Sequence, residues 1–517
     1  MDASRSLRNL ARLIGIARTL ARFDALFALK SLGVAPKLVG LVGLFWRPQS
    51  AVSSLRPGQR LARALQTLGP SFIKLGQMLA TRSDLVGEGI ATDLSELQDR
   101  LPPFSGAIAR ETVAAELGRP VEQLYARFDD VPIAAASIAQ VHYATTTEGR
   151  DVAVKVLRPG IETAFARDLD LFLWVAETIE RLQPQFRRLR PCEAVKIFAD
   201  TVRSEMDLRL EAAAASELAK NFADDPGFVV PKIDWTRTAR RVLTLERVTG
   251  IRIDDRAGLI AAGHDPDTIL AKSANLIFAQ VFRDGFFHAD LHPGNLSVDS
   301  RGRIVAVDFG IMGRLDHKTR NYLADMLIGF LNGDYRRVAD VHFRAGYVPA
   351  HQSRDVFAQA CRSIGEPILG LPLHEISIAR LLGQLFQVTE TFEMETQPQL
   401  LLLQKTLLMA EGVGRRLNEN VNMWILARPL IEKWMRDNRS PEARLREILR
   451  EVGSGLERLP SLLRDMEAAT AMIADGGLRL HPESLKQLAA QHARQTPSWP
   501  LWLAVALAIT LSLIALL

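Results

Sequence analysis

The sequence predicts an α+β chain of two lobes, with a helical extension before them and an apolar helix after them. Three observations carry this. Strand-like segments crowd into residues 119–248, helical periodicity dominates 249–475, and an uncharged run, WPLWLAVALAITLSLIALL, occupies 499–517. With 517 residues, 48% hydrophobic and 24% charged, the chain has room for several units and enough apolar side chains to fold most of them.

The elements follow in order. Residues 1–60 form a basic helical arm, with Arg5, Arg8, Arg12, Arg18, Arg22, Lys30, Lys37 and Arg47 set against Asp2 and Asp24. Such a segment suits an anionic lipid surface; a solvated helical face suits it equally. Residues 61–118 are a helical extension, broken at Gly69-Pro70 and at Pro102-Pro103. In the first lobe, 119–248, two apolar segments between Val131 and Val156 flank a turn at 147–150, which predicts a hairpin. One amphipathic helix then runs from Pro159 to about Arg190 and another from Val195 to Phe222, before strands at 228–233 and 241–248. The second lobe, 249–475, opens on a helix at 267–284 and two short strands, 296–298 and 304–307. After Leu315 it is almost all helix.

Residues 476–498 read as a linker. The run at 499–517 matches the ~20 apolar residues that cross a bilayer once, and Trp499 and Trp502 stand at one edge, where indoles favour the interface. A single span there puts the lobes on the cytoplasmic side, at the inner membrane in a bacterium. The net charge of +5 is mild, and no nucleic-acid partner is expected. Cys192 and Cys361 have neither metal nor disulfide-framework spacing, which fits a reducing compartment. Lys30 and Lys37 interrupt the N-terminal apolar stretch, so it does not read as a signal peptide.

Four strings carry chemistry. Val152-Ala153-Val154-Lys155 ends an apolar strand in a lysine, and an ammonium at such a place needs an anion. It matches the V-A-I-K strand of protein kinases, whose lysine holds ATP phosphates. Upstream, residues 134–141 read AAASIAQV, with Ala134, Ala136, Ala139 and Val141 in the register of the kinase G-x-G-x-x-G-x-V. Small residues here, with Ala135, Ser137 and Ile138 between them, let backbone amides approach phosphate, and alanine makes the loop stiffer than glycine would. His288-Ala289-Asp290-Leu291-His292-Pro293-Gly294-Asn295 is similar to the catalytic loop H-R-D-L-x-x-x-N, and Asp308-Phe309-Gly310 to the magnesium-binding D-F-G. Asn295 and Asp308 are then the Mg2+ ligands, and Asp290 accepts the proton of the attacking hydroxyl or orients the nucleophile. His288 and His292 are read as orienting that loop. Glu246 and Val248 fall where a kinase hinge would meet adenine, and an ordinary strand end accounts for them almost as well.

Together with Pro70-Ser71-Phe72-Ile73-Lys74-Leu75-Gly76-Gln77, these strings resemble the UbiB family of atypical kinases, which is tied to ubiquinone biosynthesis. The resemblance covers roughly residues 60–350. It implies a two-lobed protein-kinase-like fold. It implies that Lys155 pairs with Glu211 and holds ATP, and that Glu205 and Asp207 form an E-x-D motif meeting Lys74 and Gln77. It further implies that the extension carrying Lys74, Gly76 and Gln77 covers the place where a protein substrate would dock. The implied activity is an ATPase or small-molecule kinase, with membrane lipids, quinone precursors and quinone-biosynthesis enzymes as partners. The sequence departs from the family at Leu208 and Ala214, where tyrosine and asparagine are frequent, and in showing one apolar span rather than two.

Three other readings compete. A nucleotide-sensing scaffold need not keep Lys155, Asp290, Asn295 and Asp308 together. An ordinary protein kinase would carry an A-P-E signature after Gly310, and none follows. A polyprenylphenol hydroxylase would need a redox cofactor, yet the sequence has no Rossmann fingerprint after a strand and no Glu-x-x-His pair.

Overall fold

The computed structural model describes residues 3–28, 54–80, 86–95, 101–182, 191–367, 397–420 and 423–439, with isolated positions at 97 and between 384 and 394. The span predicted at 499–517, the linker at 476–498 and the basic residues Lys30, Lys37 and Arg47 lie outside them. Among the described residues no helix is long and apolar enough to cross a membrane. The chain divides into two units, Met1–Met435 and Arg436–Leu517, and the elements below lie in the first.

Among the described residues the extension holds the helices α1 (Ala3–Arg22), α2 (Pro57–Leu68), α3 (Pro70–Ala80) and α4 (Glu88–Ser95). Pro57 and Pro70 open two of them, where a missing N–H costs nothing. Gly69 separates α2 from α3 at a φ of 109°, a conformation open to glycine. The helices share a core of Ile16, Leu20, Leu61, Leu65, Phe72, Ile73 and Leu94. α1 thus turns its apolar face into the protein.

Gly76 is fixed by this packing. A Cβ there would stand 2.7 Å from Leu65 Cδ1 and 3.2 Å from Leu97 Cδ1. Gly76→Ala is therefore expected to lower the unfolding free energy by about 1–3 kcal/mol, the range for overpacking a filled core, read by urea titration. An unchanged midpoint would mean that the leucines yield freely.

The first lobe is built on a five-stranded antiparallel sheet. It comprises β1 (Tyr125–Phe128), β2 (Ala134–Ala135), β3 (Ala139–Thr146), β4 (Asp151–Leu157) and, beyond three helices, β6 (Val242–Glu246), in the order β1-β3-β4-β6 with β2 on β3. The predicted β3–β4 hairpin is present, with Val141 opposite Lys155 and Gly149 at φ 80° in the turn. The helix α5 (Gly106–Leu117), capped by Ser105, packs Ala109 and Val113 against Val152, Val154 and Val156.

After β4 come α6 (Ile161–Leu182), α7 (Pro191–Glu205) and α8 (Leu208–Asn221). Sequence periodicity predicts one helix from Val195 to Phe222, but the chain breaks it in two. Asp207 leaves helical geometry, at φ −118° and ψ 93°, and its carboxylate accepts the Arg209 N–H as the cap of α8. α1 lies on α6 through Arg5–Asp170 (2.8 Å) and Arg12–Asp168 (2.5 Å), so two arginines of the basic arm are used within the protein.

The helix-rich second lobe also holds more sheet than predicted. β5 (Phe228–Val229), β7 (Ile251–Arg252), β9 (Leu296–Val298) and β10 (Ile304–Ala306) form a four-stranded sheet, and β8 (Phe286–His288) pairs with β11 (Met312–Arg314). The strands predicted at 228–233, 296–298 and 304–307 are present as β5, β9 and β10, whereas β7, β8 and β11, of two or three residues, are too short to show alternation. The helix predicted at 267–284 is α-helical over α9 (Pro266–Phe278) and widens to a π-helix over Ala279–Asp284, ended by Gly285 at φ 64°. Later helices are α10 (His317–Leu331), α11 (Tyr335–Arg344), α12 (Arg354–Gly365) and α13 (Pro398–Leu417).

Candidate active site

Lys155 lies mid-sheet, between Val141 on β3 and Leu243 on β6. Its ammonium donates to both carboxylate oxygens of Glu211, at 2.8 and 3.0 Å, and to Asp308 Oδ1 at 3.0 Å. The side chains of Lys155 and Glu211 are only 13% and 7% exposed, whereas Asp308 is half-exposed at 48%. Glu211 belongs to the first turn of α8, so the break at Asp207 sets its bearing.

Burial pulls Lys155 toward neutrality, but Asp308 and Glu211 outweigh it and hold the pKa above the ordinary value. Burial pushes Glu211 up to about 7 against the pull of Lys155. Burial would also raise Asp308, yet the Lys155 ammonium, with Lys74 beyond it, holds its carboxyl below the ordinary value.

These directions have a consequence for stability. Glu211 binds its proton more tightly folded than unfolded, so its contribution is full below its ordinary 4.5 and lost as pH rises through about 7. Asp308 acts in a separate window, losing its contribution as pH falls below its ordinary 3.8. Urea unfolding at pH 5 and pH 8 is expected to show a fall in stability that Glu211→Gln lacks. Parallel pH profiles for the two proteins would refute it.

Asp308 adopts φ 62°, one of few non-glycine residues with positive φ among the described residues. Aspartate tolerates this region better than most side chains, and such backbone concentrates at functional sites. Asn295 Nδ2 donates to the Asp290 carbonyl at 3.0 Å and to Asp290 Oδ2 at 3.3 Å. That assigns the amide nitrogen to Asp290 and leaves Oδ1 as the atom that could take a cation. An ionised carboxylate and an amide oxygen are the hard donors that magnesium takes alongside phosphates and waters. The residues present therefore fit Mg2+ carried by a nucleotide.

The two histidines shape the loop. His288 is fully buried; its Nδ1 accepts the Asp290 N–H at 3.1 Å, so the proton sits on Nε2, which faces the Val307 carbonyl at 3.4 Å. Burial lowers its pKa, keeping it neutral. His292 Nδ1 accepts the Gly294 N–H and caps the turn Pro293–Asn295.

The alanine-rich stretch is a tight β2–β3 turn. Ala134 pairs with Val141 and Ala135 with Gln140; the Ala136 N–H donates to the Ala139 carbonyl; Ser137, Ile138 and Ala139 are buried. Arg158 holds its tip. The guanidinium donates to the Ala136 carbonyl at 2.8 and 3.0 Å, and also to the carbonyls of Pro102 (3.0 Å) and Leu101 (3.4 Å). Gln140 adds a pair of bonds to the Phe104 backbone, at 3.0 and 3.1 Å.

From the extension, Lys74 pairs with Glu205 at 2.8 Å, both side chains 11% exposed. Leu75 and Met78 pack on Ile138, Phe165, Phe198 and Leu208, which docks α3 on the first lobe. Gln77 shares the Lys74 face by i, i+3 spacing and is half-buried. Asp207 caps α8 and pairs with Arg209 at 2.6 Å. Glu246, exposed, and Val248, half-buried, lie at the crossover from β6 to β7. Glu246 is three residues along β6 from the partner of Lys155, or about 10 Å away.

Sequence reasoning missed Lys405. It lies on α13, and its ammonium meets Asp290 Oδ1 at 3.0 Å. A lysine inside the run LLLLQKTLLM was the available signal, since a charge on an apolar helix face calls for a partner.

Residues 96–342 match the family model described as ABC1 atypical kinase-like domain, and 361–422 match the UbiB helical domain. A protein named probable protein kinase UbiB from Marinobacter nauticus is 41% identical over 480 residues, covering 91% of this chain and 87% of that one. Its namesake from Pseudomonas aeruginosa is 39% identical over 499 residues, covering 95% and 90%. Among solved structures, that of Rv3197 with erythromycin from Mycobacterium tuberculosis superposes with a TM-score of 0.50 at 26% identity, covering 69% of this chain and 90% of that one.

Proposed function

The chain belongs to the UbiB family of atypical kinase-like proteins, and from that premise we propose that it binds Mg-ATP and transfers the γ-phosphoryl group to water or a small acceptor in support of ubiquinone biosynthesis at a membrane. The observation that carries this is the joined set of Lys155, Glu211 and Asp308 beside Asp290 and Asn295. A scaffold would not need the set kept in working order.

Each residue has a task. Lys155 holds the phosphates by charge, and Glu211 fixes its ammonium. The Ala134–Ala139 turn brings backbone close to the phosphates. Asp290 orients the attacking oxygen and takes its proton. Asp308 and Asn295 would hold Mg2+, which supplies charge neutralisation across the phosphates. The helix carrying Lys74 is locked to Glu205 next to this site, which supports a small acceptor over a protein substrate. The anchor is the apolar run at 499–517.

The test is deletion of the gene in its host, with ubiquinone measured by mass spectrometry after restoring wild type or Asp308→Asn. Loss of ubiquinone rescued by wild type alone supports the proposal. Rescue by both copies favours the nucleotide-sensing scaffold, and an unchanged level in a host without a second homologue removes the quinone link.

A further inference from the structure

Asp290 is held by two elements far apart in sequence. Asn295, in the same loop, donates to Oδ2 at 3.3 Å, and Lys405, on α13, donates to Oδ1 at 3.0 Å. Both Lys405 and Asp290 are about one-third exposed, at 29% and 30%, at the lip of the site. The next residue reinforces the contact. Thr406 is fully buried, and its hydroxyl lies 3.4 Å from the His288 carbonyl and 2.9 Å from that of Leu402. α13 therefore touches the loop on both sides of Ala289. It lies wholly within the helical segment at 361–422, beyond the kinase-like match that ends at 342.

We infer that Lys405 is the positioning residue for Asp290, so that the helical segment completes the active site of the kinase-like domain. This role rests on the phosphoryl-transfer reading above. In that reaction the acceptor oxygen forms a bond to the γ-phosphorus. The bond from that phosphorus to the β,γ-bridging oxygen breaks, its electron pair leaves with ADP, and the acceptor proton passes to Asp290 and then to solvent. Lys405 neither gains nor loses a proton. One carboxylate oxygen tied to Asn295 and the other to Lys405 fix the plane of the group, and with it the direction of the lone pair that meets the nucleophile. Without the ammonium the carboxylate swings about its Cα–Cβ and Cβ–Cγ bonds, and small misplacements of a reacting group are costly.

The test uses the full chain in detergent, with Lys405→Met, Lys405→Arg and wild type compared for Mg-ATP turnover, KM for ATP and melting temperature. The expected result is a fall in kcat of about 10²-fold for Lys405→Met, the size that misplacement carries, with KM and melting temperature near wild type. A partly exposed ion pair adds little to stability, so a merely structural role would not give this pattern. Lys405→Arg should recover most of the loss. An unchanged kcat in Lys405→Met overturns the inference. So does a fall in kcat that tracks the melting temperature and that arginine does not repair. A wild type that binds Mg-ATP without turning it over overturns the phosphoryl-transfer reading and this role with it. Wild-type turnover indifferent to Lys405 overturns this role alone.

Discussion

Lys155→Met is expected to weaken Mg-ATP binding at least tenfold and to destabilise the fold at neutral pH. The nucleotide effect follows from removing the ammonium that β4 places against Glu211 and Asp308. The stability effect follows from what remains, a Glu211 carboxylate that is 7% exposed beside a second carboxylate. Breaking a buried pair costs ~3–5 kcal/mol when the orphan stays charged. Glu211 already titrates at about 7, so without Lys155 it takes up a proton and recovers part of that cost. Urea unfolding should therefore show a loss of about 2–3 kcal/mol at pH 8, shrinking toward pH 5. Adding Glu211→Gln should restore stability but not nucleotide affinity. If the single variant loses affinity with no pH-dependent stability change, burial does not penalise the Glu211 charge as argued.

Asp308→Asn should separate binding from chemistry. Asparagine, like aspartate, visits the left-handed region at modest cost, so the φ of 62° is kept and the fold stands. The magnesium ligand is weakened. The expected outcome is ATP affinity that no longer rises when Mg2+ is added, and a fall in turnover of about 10²–10³-fold, the scale of losing one preorganised electrostatic contact. Alanine at the same position should in addition lower stability, because its side chain offers nothing to the left-handed backbone. An Asn variant whose ATP affinity still responds fully to Mg2+ would move the metal away from Asp308.

Much of this site was legible in the sequence because its parts are local. An apolar strand that carries Lys155 two residues before its end, a loop with Asp290 and Asn295 five residues apart, and Asp308 two residues before Gly310 each encode their geometry within a few residues. The pairs Lys155–Glu211 and Lys74–Glu205 were legible only through resemblance, since 56 residues separate the first pair. The helix break at Met206-Asp207 escaped because apolar periodicity runs on across it, while the deciding bond is one side chain to one backbone amide. Of the short strands in the second lobe, β7, β8 and β11 escaped because two or three residues have no period. Lys405 lies 115 residues from Asp290, and only the misfit of a charge on an apolar helix announced it.

The grip of Arg158 has a mechanical meaning. One guanidinium ties the tip of the alanine-rich turn, at Ala136, to the segment at 101–102 by which the helical extension enters the first lobe. Gln140 fastens the same segment again through Phe104. Turn and segment thus move as one lever. A displacement of that segment would be carried to the turn through these bonds.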